Sequence, residues 1–296
     1  MGKSKPFDPD QFSVTPGSPV RLSDRPTRQP SGFTTKSEAA KALKQNIRHL
    51  SDAQERLWAS KEYSLLIILQ AMDAAGKDGA IKHVMRGINP QGCTVTAFGP
   101  PNEEERLHHF LWRSFRHLPE RGRIAIFNRS YYEEVLVVRV HPKWLDKQWI
   151  PKAQKDGSFD DLWKQRFNDI NRYEKHLTDN GTTVIKLFLH LSRKEQRKRL
   201  LSRLDDPHKN WKFTEADVRE RAHWDDYTHA YEQMLTHTST EHAPWHIIPA
   251  DRKWFSRAAI AETIAAHIDK LALNFPTADP QLVKRFPEFR KALLSD

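Results

Sequence analysis

Gln70-Ala71-Met72-Asp73-Ala74-Ala75-Gly76-Lys77-Asp78-Gly79 places carboxylates and a lysine among small residues. Small residues let backbone N–H groups close around phosphate oxygens, and a helix starting there adds the partial positive charge of its N-terminus. Ala74, Ala75, Gly76, Asp78 and Gly79 would form the cradle, and Lys77 would reach the phosphoryl group that moves. Against G-x-x-x-x-G-K-[ST], Ala71 replaces the first glycine and Asp78 the metal-binding hydroxyl. Asp73 and Asp78 would repel a phosphate unless a divalent cation lies between. Mg²⁺ readily takes one or two carboxylates together with phosphate oxygens. The plainer reading is a Gly-Lys turn that only caps a strand–helix junction.

A second cluster is Asn128-Arg129-Ser130-Tyr131-Tyr132-Glu133-Glu134. Arg129 could clamp a phosphate, and Glu133 or Glu134 could hold a metal or orient an acceptor. Helix capping by Asn128 or Ser130 is the alternative. A third is the basic run Arg193-Lys-Glu-Gln-Arg-Lys-Arg199, continued by Arg203. A polar break follows at Asp205–Phe213, and then Thr214-Glu-Ala-Asp217, which reads as a capping pattern. A basic helix, a loop and another helix have the form of a lid over phosphates, at about 193–225. A solvated helix face explains any one of these residues equally well.

The elements that must position these clusters follow from periodicity. Ala39, Leu43, Ile47, Leu50 and Leu57 form one helical stripe between Thr35 and Ser60. Ser64–Gln70 is a continuous apolar run, suited to a strand buried on both faces of a parallel sheet. Further strands are expected at Thr94–Phe98, Arg123–Phe127, Thr183–Leu189 and Trp245–Pro249. The helices expected between and after them are Gly79–Arg86, Glu103–His117, Asp160–Asp179, Ser192–Leu204, Thr214–Leu235 and Phe255–Leu273. This alternation predicts an α/β fold, a parallel sheet with helices on both faces. Both candidate clusters then follow strands, and open α/β sheets bind ligands at the carboxyl ends of their strands. Residues 1–34 are proline-rich and read as an extended arm, residues 35–275 as the domain, and 276–296 as a tail.

The chain has 296 residues, is 38% hydrophobic and carries a net charge of +10. That charge suggests a polyanionic partner without separating nucleic acid, acidic membrane and polyphosphate. No run approaches the roughly 18 apolar residues of a membrane span, and the start resembles no signal peptide. Pro6 breaks the myristoylation pattern begun by Gly2. The single cysteine, Cys93, excludes an internal disulfide and points to a cytoplasmic location. The fifteen histidines include no H-E-x-x-H, so a zinc site is not expected.

Taken together, QAMDAAGKDG (70–79), NPQG (89–92), NRSYYEEV (128–135), NWKF (210–213) and APWHIIPADRKW (243–254) resemble the polyphosphate kinase 2 family in order and spacing, over about Leu57–Leu273. The resemblance implies a thymidylate-kinase-like P-loop core with a helical lid. It implies phosphoryl transfer between inorganic polyphosphate and adenine or guanine nucleotides, with Mg²⁺ or Mn²⁺ as cofactor. Asp73 falls at the family's essential loop aspartate, Lys77 at the loop lysine and Arg129 at the arginine after the strand. Lys82 and Arg86 fall where the family lines its polyphosphate channel; Arg199 and Arg203 of the basic run are expected to bind the same polyanion, and Asn128, Tyr132 and Glu133 the nucleotide. Asp73 and Glu133 are the implied metal ligands, and a homo-oligomer, dimer or tetramer, is the implied assembly.

Relatives preferring diphosphates carry D-R-S-W-Y-N, whereas this chain has Glu133 in place of that asparagine. This resembles the subclass accepting both AMP and ADP. A departure is His109, where relatives commonly carry aspartate. The alternatives are an ADP/GDP-specific polyphosphate kinase, an ATP-dependent nucleoside monophosphate kinase, and a basic nucleic-acid-binding module. The absence of an aromatic-basic RNA motif counts against the last, so neither nucleic acid nor membrane is an expected partner.

Overall fold

A computed structural model describes residues 7–30, 32–155 and 157–295. Five strands, β1 (Ser64–Ala71), β2 (Cys93–Ala97), β3 (Ile124–Asn128), β4 (Thr182–His190) and β5 (Trp245–Pro249), form one sheet in the order β2-β3-β1-β4-β5. All their pairings are parallel. Every residue of β1 is buried, because it lies in the middle of the sheet under helices on both faces. Side chains alternate between those faces. Leu66 and Ile68 pack with Trp163, Ile170 and Met234 of the helices Phe159–Asp179 and Trp224–Thr238. Leu65, Ile67 and Leu69 pack with Leu50 and Leu57 of Lys36–Ser60, and with Phe255 and Ile264 of Lys253–Asp269. Each such buried aliphatic side chain contributes about 1.5–3 kcal/mol.

Strand order is what builds the site. β1 and β3 are neighbours, with Leu69 opposite Asn128, so the segments leaving both strands emerge side by side.

Three helices differ from the periodicity. The helix after β1 begins at Lys77, ahead of Gly79, because Gly76 takes a left-handed conformation (φ +103°) and starts it there. Glu103–His117 divides into Glu103–Leu107 and Trp112–Phe115. His108 turns extended between them, and its ring stacks on Trp112 with centroids 3.9 Å apart. Thr214–Leu235 is interrupted at His223, giving Glu215–Ala222 and Trp224–Thr238. The interruption lets Glu220 accept hydrogen bonds from Tyr227 (2.6 Å) and His141 (2.7 Å).

The N-terminal segment buries Phe12, Val14, Val20 and Leu22 against the body. Val14 N–H donates to Trp245 O at 2.8 Å, and Ser13 bridges His246 antiparallel at the free edge of β5. That contact covers an otherwise unpaired strand edge. The C-terminal segment carries two short helices, Pro280–Lys284 and Phe286–Leu293. Among the described residues, no helix is long and apolar enough to cross a membrane.

Candidate active site

The turn from β1 into the helix Lys77–Val84 holds two left-handed residues, Ala74 (φ +62°) and Gly76 (φ +103°). For alanine that conformation costs on the order of 1–3 kcal/mol and persists only where its surroundings fix it. The basic helix Arg193–Asp205 does the fixing. Gln196 donates its amide to Asp73 O at 3.1 Å. Arg199 donates to Ala74 O (3.1 Å) and Ala75 O (2.7 Å), and on its other side to Ala250 O (2.6 Å) and Asp251 O (3.2 Å). Three successive carbonyls are thereby turned outward, which leaves the N–H side of the loop for an anion.

Beside the loop, Arg129 is again a left-handed non-glycine residue (φ +64°), tied back by its N–H to Leu69 O at 3.1 Å. Its guanidinium spans two carboxylates, with Nη2 2.6 Å from Asp73 Oδ1 and Nη1 3.2 Å from Glu133 Oε2. The Glu133 and Asp73 carboxylates raise its pKa further above the ordinary arginine value, against the effect of burial. Gln70 lies buried beneath. Turned so that both ends of its amide are satisfied, it donates to Glu133 Oε1 at 2.9 Å and accepts from Ser130. Asn128 donates to Asp78 Oδ1 at 2.7 Å, joining the end of β3 to the first turn of the loop helix.

Lys77 is buried, and its ammonium donates to Ala71 O at 3.0 Å. Burial, then the Arg129 charge, lowers its pKa to about 8, and the nearby carboxylates only partly offset this. Asp73, Arg129 and Glu133 line one wall of a small cleft. The opposite wall comes from Gln196, Asp217, Glu220, Arg221, Trp224 and Tyr227. Among the described residues, no group of three or more His, Cys, Asp or Glu makes a metal cage. The donor set fits a hard cation that draws its remaining oxygens from phosphate and water, because Asp73 and Glu133 present two carboxylates to one cleft.

The structure therefore gathers Asp73, Lys77, Arg129, Glu133, Asn128 and Asp78 at one point, and sets other expected residues elsewhere. Tyr132 is fully buried and presents no face to a nucleotide. Its hydroxyl and that of Tyr131 each donate to Glu174 Oε1 at 2.7 Å. Glu174 in turn pairs with Lys186 at 2.6 Å, both side chains wholly enclosed. The tyrosines are anchors for the turn that carries Glu133. Glu134 also points inward, paired with Arg166 at 3.2 Å, which leaves Glu133 as the glutamate facing the cleft. Arg199 is a loop clamp, since Nη1 and Nη2 are taken by carbonyls and Nε by Glu195. Arg203 binds Asp217 (3.3 Å) and Lys212 O (3.1 Å), pinning the segment that joins the two lid-forming helices. Lys82 and Arg86 are exposed. His109 is exposed in a separate cleft, with Phe110, Arg166 and Trp149.

Gln196, Glu174 and Lys186 carry no motif of their own, and Gln70 opens the 70–79 motif without a role read from it. Lys186 has one signal, a lysine inside the apolar run Val184-Ile-Lys-Leu-Phe-Leu189. A charge in a strand buried on both faces requires a buried partner.

A parallel sheet in this order, with a strand–loop–helix turn between the ends of β1 and β3, is the framework of the P-loop kinases, and this chain is a phosphotransferase of that class. It belongs to the polyphosphate kinase 2 family, whose model matches residues 34–276. An ADP-polyphosphate phosphotransferase of Rhodopseudomonas palustris is 47% identical, covering 96% of this chain and 98% of its own length. An AMP/ADP-polyphosphate phosphotransferase of Meiothermus ruber is 40% identical, covering 94% of each. The crystal structure of polyphosphate kinase 2 from Arthrobacter aurescens superposes with a TM-score of 0.87 at 36% identity, covering 100% of this chain and 99% of that one.

Proposed function

We propose that this enzyme transfers phosphoryl groups between inorganic polyphosphate and both AMP and ADP, reversibly and with Mg²⁺. The observation that carries the choice of acceptor is the position of Glu133. Its carboxylate faces the cleft, held by Arg129 on one oxygen and Gln70 on the other.

In the forward direction an oxygen of the acceptor's terminal phosphate attacks the end phosphorus of polyphosphate. The P–O bond to the next phosphate breaks as the new one forms. That oxygen is ionised at neutral pH, so no side chain need act as base or nucleophile, and the protein supplies position and positive charge. The loop N–H groups and Lys77 hold the phosphoryl group in transit. Arg129 orients Asp73 and Glu133 and neutralises charge beside them. These two carboxylates would hold the Mg²⁺, which would supply positive charge beside the reacting phosphates. The helices from Arg193 to about residue 225 form the lid, pivoting beyond the point where Gln196 and Arg199 fasten the first of them to the loop. The lone Cys93 and the composition support a cytoplasmic enzyme, and the family supports a homo-oligomer.

AMP is one phosphate shorter than ADP, so its terminal oxygen lies farther from the donor if the base keeps the same pocket. A carboxylate at Glu133 would hold a cation whose charge would favour the phosphate of the shorter acceptor, and a neutral asparagine would hold such a cation poorly. The second reading, an enzyme for ADP alone, is favoured by the name of the Rhodopseudomonas palustris relative. Replacing Glu133 with Asn decides between them. AMP phosphorylation is expected to fall about a hundredfold or more, the size of a lost transition-state contact, while ADP phosphorylation largely survives. Loss of both in proportion, or of neither, removes the case for AMP as an acceptor.

A further inference from the structure

Thr27 and Asp251 stand 224 positions apart in sequence and hold one another by two hydrogen bonds. The Thr27 hydroxyl donates to Asp251 Oδ2, and Thr27 O accepts from the Asp251 N–H, each at 2.9 Å. Asp251 lies in the turn after β5, within the Ala-Asp-Arg-Lys-Trp stretch to which no role has so far been given. Covering the edge of β5 requires only Ser13 and Val14 of the N-terminal segment, yet the segment is tied down well past that edge. Val20 N–H donates to Thr236 Oγ1 (2.9 Å) and Leu22 N–H to Glu232 Oε1 (2.7 Å), both on the helix Trp224–Thr238. Pro26 then confines Arg25 to extended backbone (φ −107°, ψ 132°), which delivers Thr27 to the turn.

Asp251 passes that contact on to the phosphate loop. Its other oxygen, Oδ1, accepts from Ser192 N–H at 2.8 Å, and Ser192 Oγ accepts from Glu195 N–H at 3.1 Å, where the basic helix begins. Glu195 takes Arg199 Nε at 3.0 Å, and the Ala250 and Asp251 carbonyls take Nη2. Nη1 is the nitrogen that reaches the Ala74 and Ala75 carbonyls. A planar guanidinium gripped at two of its nitrogens has the direction of the third fixed. The turn at 250–251 therefore sets where Arg199 meets the loop. That turn is itself held from two sides, by Thr27 of the arm and by His190 O at the end of β4, which accepts from Ala250 N–H at 2.9 Å.

We propose that Thr27 is a positioning residue for phosphoryl transfer, acting through Asp251 and Arg199 to hold the left-handed turn at Ala74. The N-terminal arm is thereby part of the support of the active site and not only a cover for a strand edge. This rests on residues 73–79 forming the phosphate cradle. Thr27 lies outside the lining of the cleft, so its effect falls on the geometry of the loop and not on the binding of the nucleotide.

The test measures kcat, KM for ADP and Tm, with polyphosphate as donor, in the full chain carrying Thr27→Val, Thr27→Ser, Asp251→Ala, or Thr27→Val with Asp251→Ala. Hydrogen exchange of the backbone amides at 73–79 is followed in the same proteins. Valine keeps the shape of threonine and removes its hydroxyl. Thr27→Val should lower kcat about tenfold, within the range that a small misplacement remote from the chemistry produces. KM for ADP should stay as in the wild type, and the loop amides should exchange faster. Thr27→Ser restores the hydroxyl and should recover wild-type kcat, which a loss of packing alone would not explain. Asp251→Ala should lower kcat further, and the double variant should be no slower than Asp251→Ala, because the two residues act along one path. If Asp251→Ala fails to fold, the valine and serine variants still decide. Wild-type kcat in Thr27→Val, with or without a fall in Tm, overturns the proposal. So does a rise in KM for ADP in place of the fall in kcat, the absence of recovery with serine, or additive losses in the double variant. Retention of turnover by Asp73→Asn and Lys77→Ala would instead refute the cradle on which the proposal rests.

Discussion

Arg129 Nη2 lies 2.6 Å from Asp73 Oδ1, although the two residues are far apart in sequence and leave different strands. The parallel pairing of β1 with β3 brings them together, and the left-handed turn at Arg129 aims its guanidinium back over the loop. The second carboxylate on that guanidinium, Glu133, is tied to the loop through the same side chain. Charge placed by one strand end is therefore oriented by the other.

Asp73→Asn and Lys77→Ala should each lower kcat by about a hundredfold to a thousandfold, the usual effect of losing one electrostatic contact made in the transition state. Circular dichroism and thermal melting should show that Asp73→Asn stays folded, since Asp73 is partly exposed. A variant retaining more than about a tenth of wild-type kcat would contradict the assignment of the loop.

Arg199 and Lys82 should separate cleanly. Arg199→Ala frees the carbonyls of Ala74 and Ala75 and leaves the left-handed loop unsupported. It should reduce turnover with every donor and lower Tm by several degrees, as loss of about 1–3 kcal/mol does. Lys82→Ala and Arg86→Ala, at exposed positions, should leave Tm unchanged. They should raise KM for long polyphosphate and flatten its salt dependence. Equal effects of all three variants on Tm would show that the clamp described for Arg199 is not specific.

The Lys77 ammonium gives a pH signature. Its pKa is lowered to about 8, so the free enzyme loses this charge as pH rises through that value, and kcat/KM should fall there. Bound phosphates favour the charged form, so the fall in kcat should come at higher pH. Between about 8 and the ordinary lysine value the unfolded chain holds a proton that the native state has released, so this group's contribution to stability rises with pH in that window. A kcat/KM profile flat to about pH 10 would contradict the burial and charge environment assigned to Lys77.

Much of this was legible in the residues. β5 lies at Trp245–Pro249 as the apolar run predicts, and β1 extends its run by one residue, because unbroken apolar stretches leave little choice in a parallel sheet. The meeting of the 70–79 loop with Arg129 was legible because residue types unusual for a turn follow directly on strands. The destinations of long polar side chains were not legible. Arg199 and Arg203 have the same type and helix face, yet one reaches loop carbonyls and the other Asp217. That difference depends on which backbone lies opposite, a tertiary fact with no local pattern. Tyr132 is similar, since burial of its hydroxyl depends on Glu174 and Lys186 meeting beneath it.

The donor is the claim on which the rest stands. Enzyme, AMP and Mg²⁺ should be supplied with polyphosphate, ATP or GTP as sole donor, and the nucleotides separated over time. The account predicts that polyphosphate yields ADP and then ATP, with kcat/KM for the donor at least about a hundredfold above ATP or GTP, a difference of some 2.7 kcal/mol in transition-state binding. Faster phosphorylation of AMP by ATP or GTP than by polyphosphate would contradict it.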